Sequence, residues 1–271
     1  MKISLVISDV DATLITPEHE ITRRAARTVR DLHERGIAFT MASSRPPRGL
    51  YAFAEQLNLT EPFAAFNGGV IQKPDGETLL SHTLSREVCE QAFEITEKFG
   101  IELWIYCDHD WHVDKITTFV EREQNTLGFK AILENDLRDV FGTAAKLVIV
   151  GDPALVARAE DVAMAEFGAE VSATKSKPRY LDITAKEAHK GTVVSHLAGV
   201  LGIPTSEIAV IGDGLNDILM FERAGFSIAM GQASDTVKRA ANVVAKTNTE
   251  EGFADAMEEF ILKSKSRHKY T

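Results

Sequence analysis

Asp9 and Asp11 stand two residues apart at the end of an apolar run containing Ile3, Leu5, Val6 and Ile7. Such a run predicts a strand buried in the middle of a sheet. Charge at its end requires a cation or hydrogen-bond donors. Period-two alternation turns both carboxylates to one side, with Val10 opposed. The pair therefore asks for a divalent cation, a proton to manage, or both. Further polar groups fall at comparable places: Ser43 and Arg45 after an apolar run at 37–42, Asn67 and Gly68 after 63–66, and Asp213, Asn216 and Asp217 after 208–211. Each group follows a predicted parallel strand, at the end where open α/β sheets bind ligands.

These residue types suit phosphoryl transfer. Magnesium takes hard oxygen ligands, commonly one or two carboxylates beside water and substrate phosphate. Asp9 and Asp213 can supply them, leaving Asp217 to orient a metal-bound water or Lys190. A phosphoryl group in transfer wants a metal, a cation and neutral donors around its oxygens, for which Lys190, Ser43 and the amides after Asp9 are candidates. A carboxylate can attack phosphorus to give an aspartyl-phosphate. That route needs a second group to protonate the leaving oxygen and later deprotonate water, a role open to Asp11. Arg45 has two readings, substrate contact or pairing with a carboxylate, and Asn67 either shapes its loop or touches ligand.

The elements that must position these residues alternate in type. A helix carries Ile21, Ala25, Val29 and Leu32 at helical spacing and stops at Gly36. A second helix carries Leu50, Phe53, Ala54 and Leu57. With strands at 3–8, 37–42 and 63–66, this is the rhythm of a parallel sheet with crossover helices. The rhythm changes near residue 84. A helix over 85–99, a half-exposed strand over 101–106, a hairpin partner at 111–113, a helical stretch at 146–150, a helix over 153–167 and two short strands read as an inserted second domain. The expected organisation is a core of residues 1–83 and 183–271 with an inserted α/β domain at 84–182. Beyond it come a helix from Lys190 to about Leu201, strands at 208–211 and 226–230, and a short helix at 236–240.

The ordered set of motifs resembles the haloacid dehalogenase superfamily: Asp9-Val10-Asp11-Ala12-Thr13, Ser43 at a strand end, Lys190-Gly191 opening a helix, and Gly212-Asp213-Gly214-Leu215-Asn216-Asp217. The late single insertion, together with Asn67-Gly68, is similar to its Cof-type members with a C2B cap. The resemblance implies a Rossmann-like core and Asp9 as nucleophile with Asp11 as general acid/base. It also implies Mg2+ on Asp9, the Asp11 carbonyl and Asp213, and a phosphoryl group bound by Ser43 and Lys190 with help from Asn216. Two departures stand out. Ala12 replaces the usual Gly, awkward if the backbone there needs positive φ. Ser43-Ser44-Arg45 replaces Thr-Gly-Arg and keeps the hydroxyl.

Composition narrows the partners. Of 271 residues, 44% are hydrophobic and 26% charged, as in ordinary globular chains. No stretch approaches the roughly 18 uninterrupted apolar residues of a membrane helix, and no secretory leader is expected at the start. A net charge of −10 argues against nucleic acid, and the basic tail from Lys263 to Lys269 reads as a solvated helix end. Cys89 and Cys107, the only cysteines, are expected as buried thiols in a reducing, cytoplasmic setting. Trp111, His112 and Tyr180 in the insertion have two readings, specificity residues or, for the aromatics, core of a small domain, and His189 has no expected role. The leading expectation is a Mg2+-dependent phosphatase of a small phosphorylated metabolite such as a sugar phosphate. The alternatives are a sugar phosphomutase and a non-catalytic sugar-phosphate-binding protein. Dehalogenation is disfavoured because a carbon–halogen bond offers no leaving oxygen for Asp11 to protonate.

Overall fold

A computed structural model describes residues 1–167 and 170–263; the basic tail beyond Lys263 lies outside the described residues. Strand Leu5–Ser8 occupies the middle of a five-stranded parallel sheet, between Ile208–Gly212 and Ala38–Met41. Phe226–Ala229 and Val243–Val244 extend the sheet on the 208–212 side. Both faces are apolar. Val6 faces helix Arg23–Glu34 and the C-terminal helix Gly252–Ala256 through Val29, Leu32 and Phe253. Leu5 and Ile7 face helix Lys190–Leu201 through Val193, Val194 and Leu197. Double burial explains why the central strands read as unbroken apolar runs.

The first strand ends at Ser8, one residue before the carboxylates. From there the chain makes a tight turn over Val10–Leu14, closed by the Ile15 N–H donating to the Val10 carbonyl at 3.1 Å. Asp11 is therefore aimed by this turn, and strand alternation does not govern it. A second correction concerns Phe63–Ala65. It joins the core sheet only by a parallel bridge between Ala42 and Ala64. Its main pairing is antiparallel with Val70–Gln72, which in turn pairs with Thr78–Ser81.

The cap is built on a separate six-stranded sheet. Its order is Val171–Lys177, Tyr180–Ala185, Lys146–Val150, Glu102–Tyr106, Trp111–Val113 and Ile132–Leu133. The stretch 146–150, expected as helical, is a central strand paired antiparallel on both sides. Leu147, Val148, Ile149 and Val150 are all buried, and five residues of mostly β-branched chain are too short for a helix and well suited to a two-sided sheet position. Tyr180–Ala185 carries this sheet past residue 182.

Alternation gives the cap sheet two different faces. Leu103, Ile105, Leu147, Ile149, Leu181 and Ile183 pack with helices Arg86–Phe99 and Pro153–Glu166. The alternate residues Trp104, Tyr106, Lys146, Val148, Tyr180 and Asp182 turn toward the parallel-sheet core. There the Phe66 ring from the core meets Tyr106 edge-on at 5.8 Å, and Arg48 pairs with Asp110 at 2.8 Å. Trp111 is fully buried behind this face, stacked on Tyr106. No helix among the described residues is long and apolar enough to cross a membrane.

The loop after Phe63–Ala65 sits tightly on the helix that begins at Lys190. Gly68 has φ of +103°, and a Cβ there would lie 2.7 Å from the Val193 side chain and 3.2 Å from the His189 carbonyl. Gly68→Ala is expected to cost about 1–3 kcal/mol by strain and overpacking, read as a lowered midpoint in urea denaturation. An unchanged midpoint would show that this loop packs more loosely than its geometry indicates.

Candidate active site

Asp9 is held where the first strand leaves the sheet, its N–H donating to the Ile211 carbonyl at 2.9 Å. Its carboxylate Oδ1 accepts a hydrogen bond from Lys190 Nζ at 2.5 Å. Lys190, only 1% exposed, starts its helix, so a cation stands at the end where the helix dipole disfavours it. A second carboxylate compensates: Asp217 Oδ1 accepts from Nζ, also at 2.5 Å. Asp217 is completely buried, and its Oδ2 accepts the N–H groups of Asp213 and Gly214 at 2.8 Å each. The chain approaches so closely that a Cβ on Gly212 would sit 2.3 Å from that oxygen. Asp213 receives the Thr13 hydroxyl at 3.3 Å.

Charge in this cluster is unbalanced. Burial pushes the Asp9 carboxyl up to about 7 against the attraction of Lys190, with Asp217 and Asp213 also pushing upward. Burial by itself would lower Lys190, but Asp217 and Asp9 outweigh it and hold the ammonium charged. Burial and Asp217 likewise raise Asp213. Carboxylate oxygens of Asp9, Asp213 and Asp217 lie within 4.8 Å of one another, facing one ammonium. The excess negative charge and all-oxygen donor set fit a hard divalent cation. Both Asp217 oxygens are engaged by Lys190 and the backbone, which leaves Asp9 and Asp213 the better placed to ligate.

Asp11 lies nearby in a wetter position, its side chain 42% exposed. Arg45 grips it with a bidentate contact, Nε to Oδ2 at 2.8 Å and Nη2 to Oδ1 at 2.6 Å. The guanidinium also lies 5.3 Å from the Phe53 ring centre, and His19 Nδ1 stands 3.2 Å from Nη2. Between Asp11 and Thr13, Ala12 adopts φ 57° and ψ 8°. This is the left-handed region, which costs a residue with a Cβ about 1–2 kcal/mol. The awkwardness expected for Ala12 is therefore real.

The remaining predicted residues divide. Ser43 is fully buried; its hydroxyl accepts the Arg45 N–H at 3.1 Å, and its carbonyl accepts the Asn67 N–H at 2.8 Å. Asn67 takes φ 58° and accepts from Asn216 Nδ2 at 2.9 Å. It shapes its loop and reaches across to the Asp213 segment.

Between core and cap lies a cavity of about 310 Å³. Asp11, Arg45 and Phe66 form its floor, Trp104, Tyr106 and Tyr180 its aromatic wall, and Glu123, Lys146, Lys177 and Asp182 its polar wall. Lys146 pairs with Asp182 at 2.7 Å. Burial raises the Glu123 carboxyl against the pull of Lys177 and Lys146. Of the insertion residues singled out from sequence, Tyr180 lines this cavity. Trp111 belongs to the cap interior, and His112 pairs with Glu134 at 2.7 Å. Cys89 is buried, whereas Cys107 is partly exposed beside the Thr143 hydroxyl. Sequence reasoning missed His19, Trp104, Glu123, Lys146 and Lys177. Reading 146–150 as a strand would have found Lys146 by alternation with Val148; Glu123, on a solvated helix, gives no such signal.

Comparison with known proteins places this geometry. A family model described as haloacid dehalogenase-like hydrolase matches residues 6–257. A Haemophilus influenzae protein whose phosphatase name is provisional is 30% identical over 96% of this chain and 98% of its own length. The Bacillus subtilis 5-amino-6-(5-phospho-D-ribitylamino)uracil phosphatase YitU is 27% identical over 95% of this chain and 97% of its own. A crystal structure of a haloacid dehalogenase-like hydrolase from Bacteroides thetaiotaomicron superposes with a TM-score of 0.89 at 28% identity, covering 95% of this chain and 99% of that one. The chain belongs to the haloacid dehalogenase-like hydrolases, as a phosphatase of that family with a Cof-type cap.

Proposed function

We propose that this phosphatase is Mg2+-dependent and hydrolyses a small, hydroxyl-rich phosphomonoester through an aspartyl-phosphate on Asp9. The observation that carries the reading is the cluster of Asp9, Asp217 and the half-buried Asp213, with the Lys190 ammonium paired to the first two. Asp9, the Asp11 backbone carbonyl and Asp213 would hold Mg2+. Bound there, the ion would offset charge on the phosphoryl oxygens and orient phosphorus toward Asp9.

Asp9 attacks phosphorus as the bond to the leaving oxygen breaks, and Asp11 gives that oxygen its proton. Asp11 then takes a proton from water, whose oxygen bonds to phosphorus as the phosphorus–Asp9 oxygen bond breaks, releasing inorganic phosphate and restoring the Asp9 carboxylate. Lys190, Ser43 and Asn216 bind the transferring group. Asp217 positions Lys190 and the Asp213 backbone, Asn67 positions Asn216, and Arg45 fixes the direction of the Asp11 carboxylate. The cap excludes bulk water and selects the leaving group.

Its cavity favours a particular leaving group. At about 310 Å³ it lies near the lower end of ligand pockets, roughly 300–1,000 Å³, which suits a group of monosaccharide size. Its walls offer two carboxylates and two ammonium groups in near balance. A hydroxyl can donate to Glu123 and accept from Lys177, while aliphatic C–H faces lie on Tyr180. A sugar or polyol phosphate meets these demands, and the substrate named for the relative YitU carries a phosphorylated ribityl chain. With two free cysteines and a net charge of −10, a reducing cytoplasmic setting without a nucleic-acid partner fits the same reading.

Three outcomes are expected. Phosphate released in 18O-water should carry solvent oxygen, and Asp9→Asn should lower kcat by at least 1,000-fold (about 4 kcal/mol); transfer to a second sugar without 18O uptake would establish the mutase alternative. Mg2+ should raise the melting temperature, as ligand linkage requires, and Asp213→Asn should remove most of that rise; an equal rise in the variant would exclude Asp213 as a ligand. Glu123→Gln should lower kcat/KM for the best polyol phosphate about tenfold (about 1.4 kcal/mol) and affect para-nitrophenyl phosphate much less. Equal losses on both substrates would deny Glu123 a role in recognition.

A further inference from the structure

Gln232 lies past another end of the parallel sheet, that of Phe226–Ala229, where no catalytic role is assigned. Its side chain is exposed, yet its polar groups are engaged. Nε2 donates to the carbonyl of Ala12 at 2.5 Å, and Oε1 accepts the Asn248 N–H at 3.1 Å. The amide also lies close enough to the Asp213 carboxylate to favour its charged form, against the larger upward push of burial. Asn248 adds a parallel tie, its Nδ2 donating to the Ile15 carbonyl at 3.1 Å. The loops behind these contacts are tight: Gly231 donates to the Lys246 carbonyl at 3.0 Å, and a Cβ on Gly231 would lie 2.8 Å from the Lys246 backbone.

We propose that Gln232 is a positioning residue that clasps the turn after Asp9, holding Ala12 in its left-handed conformation so that the Asp11 carbonyl faces Asp213. The physical need arises at Ala12. A Gly there would take φ 57° freely, whereas Ala is strained. Anchoring the Ala12 carbonyl fixes its ψ and the peptide plane that follows. One neutral hydrogen bond is comparable in size to the penalty it opposes, so without the clasp other conformers of the turn compete. Those conformers would turn the Asp11 carbonyl away and swing its carboxylate from the leaving oxygen. An exposed glutamine tied at one end to the turn that bears Asp11 and at the other to the Asn248 backbone is suited to this task and ill explained by packing.

The inference rests on the reading of Asp9, the Asp11 carbonyl and Asp213 as the Mg2+ site, and its test separates the two. Mg2+ affinity is measured by titration calorimetry, and kcat and KM with para-nitrophenyl phosphate, for the full chain, Gln232→Ala, Ala12→Gly and the double variant. Gln232→Met, which keeps the side-chain length, serves as a second removal. Removing the amide should weaken Mg2+ binding about fivefold and lower kcat by a similar factor, with KM changed less than twofold. In the Ala12→Gly background the same removal should weaken Mg2+ binding less than twofold, because glycine needs no clasp. An equal penalty in both backgrounds, or no loss of Mg2+ affinity on removing Gln232, would overturn the proposal, as would a wild-type chain that binds no Mg2+. If the Mg2+ coupling holds while the wild-type chain hydrolyses no phosphomonoester, the clasp stands and the proposed reaction falls.

Discussion

The rest of the site depends on one buried ammonium. Lys190 Nζ lies between Asp9 and Asp217 in a space that admits almost no water. Burying an ion costs several kcal/mol, which only close and complete pairing repays. Each partner is in turn held by backbone: Asp9 by the strand pairing that ends at Ile211, Asp217 by the Asp213 and Gly214 amides. Lys190 therefore registers three segments, the end of the first strand, the loop after residue 212 and the start of the helix at 190, against one another. The same ammonium cannot neutralise three carboxylates, so the arrangement that orders the site also leaves it hungry for a second cation.

Around that centre, the turn after Asp9 separates two carboxylates that are near neighbours in sequence. Asp9 stays with the sheet and is buried; Asp11 leaves it and meets solvent and Arg45. Their environments differ in kind: burial disfavours charge on Asp9 and the Lys190 ammonium opposes that push, whereas Asp11 is half-exposed and gripped by Arg45. The division comes from a backbone bend at Ala12, with Thr13 and Gln232 tying the bend to the neighbouring strand ends.

The cap uses the two-residue period of a strand in a different way. Odd-numbered positions of its central strands build an apolar interior with two helices, and even-numbered positions present aromatic rings and charges to the core. One sheet thus supplies both the apolar interior of the cap and the lining of the cavity. Residues 104, 146 and 180 line the cavity, and the interior at 103, 147 and 181 packs on the opposite face.

Much of the catalytic core was legible in the residues themselves. Apolar runs ending in polar groups located the strand ends, and the physical rule that parallel sheets bind at those ends brought Asp9, Ser43 and Asp213 to one place without coordinates; Asn67 follows a strand that pairs mainly antiparallel and meets the sheet by a bridge at Ala64. Local sequence was a poorer guide in the cap, where a run such as 146–150 fits a helix or a strand until its neighbours are known. Glu123 and Lys177 carry no signature, because a charged residue on a solvated element looks the same whether it faces water or a substrate. Local periodicity and residue chemistry, which act over a few residues, determined the elements and the class of reaction. Tertiary structure alone decided that Arg45 grips Asp11, that Gln232 reaches Ala12 across 220 positions, and that alternate faces of a distant sheet close over the site. These are contacts between segments far apart in the chain, set by packing and charge in three dimensions, and no local pattern encodes them.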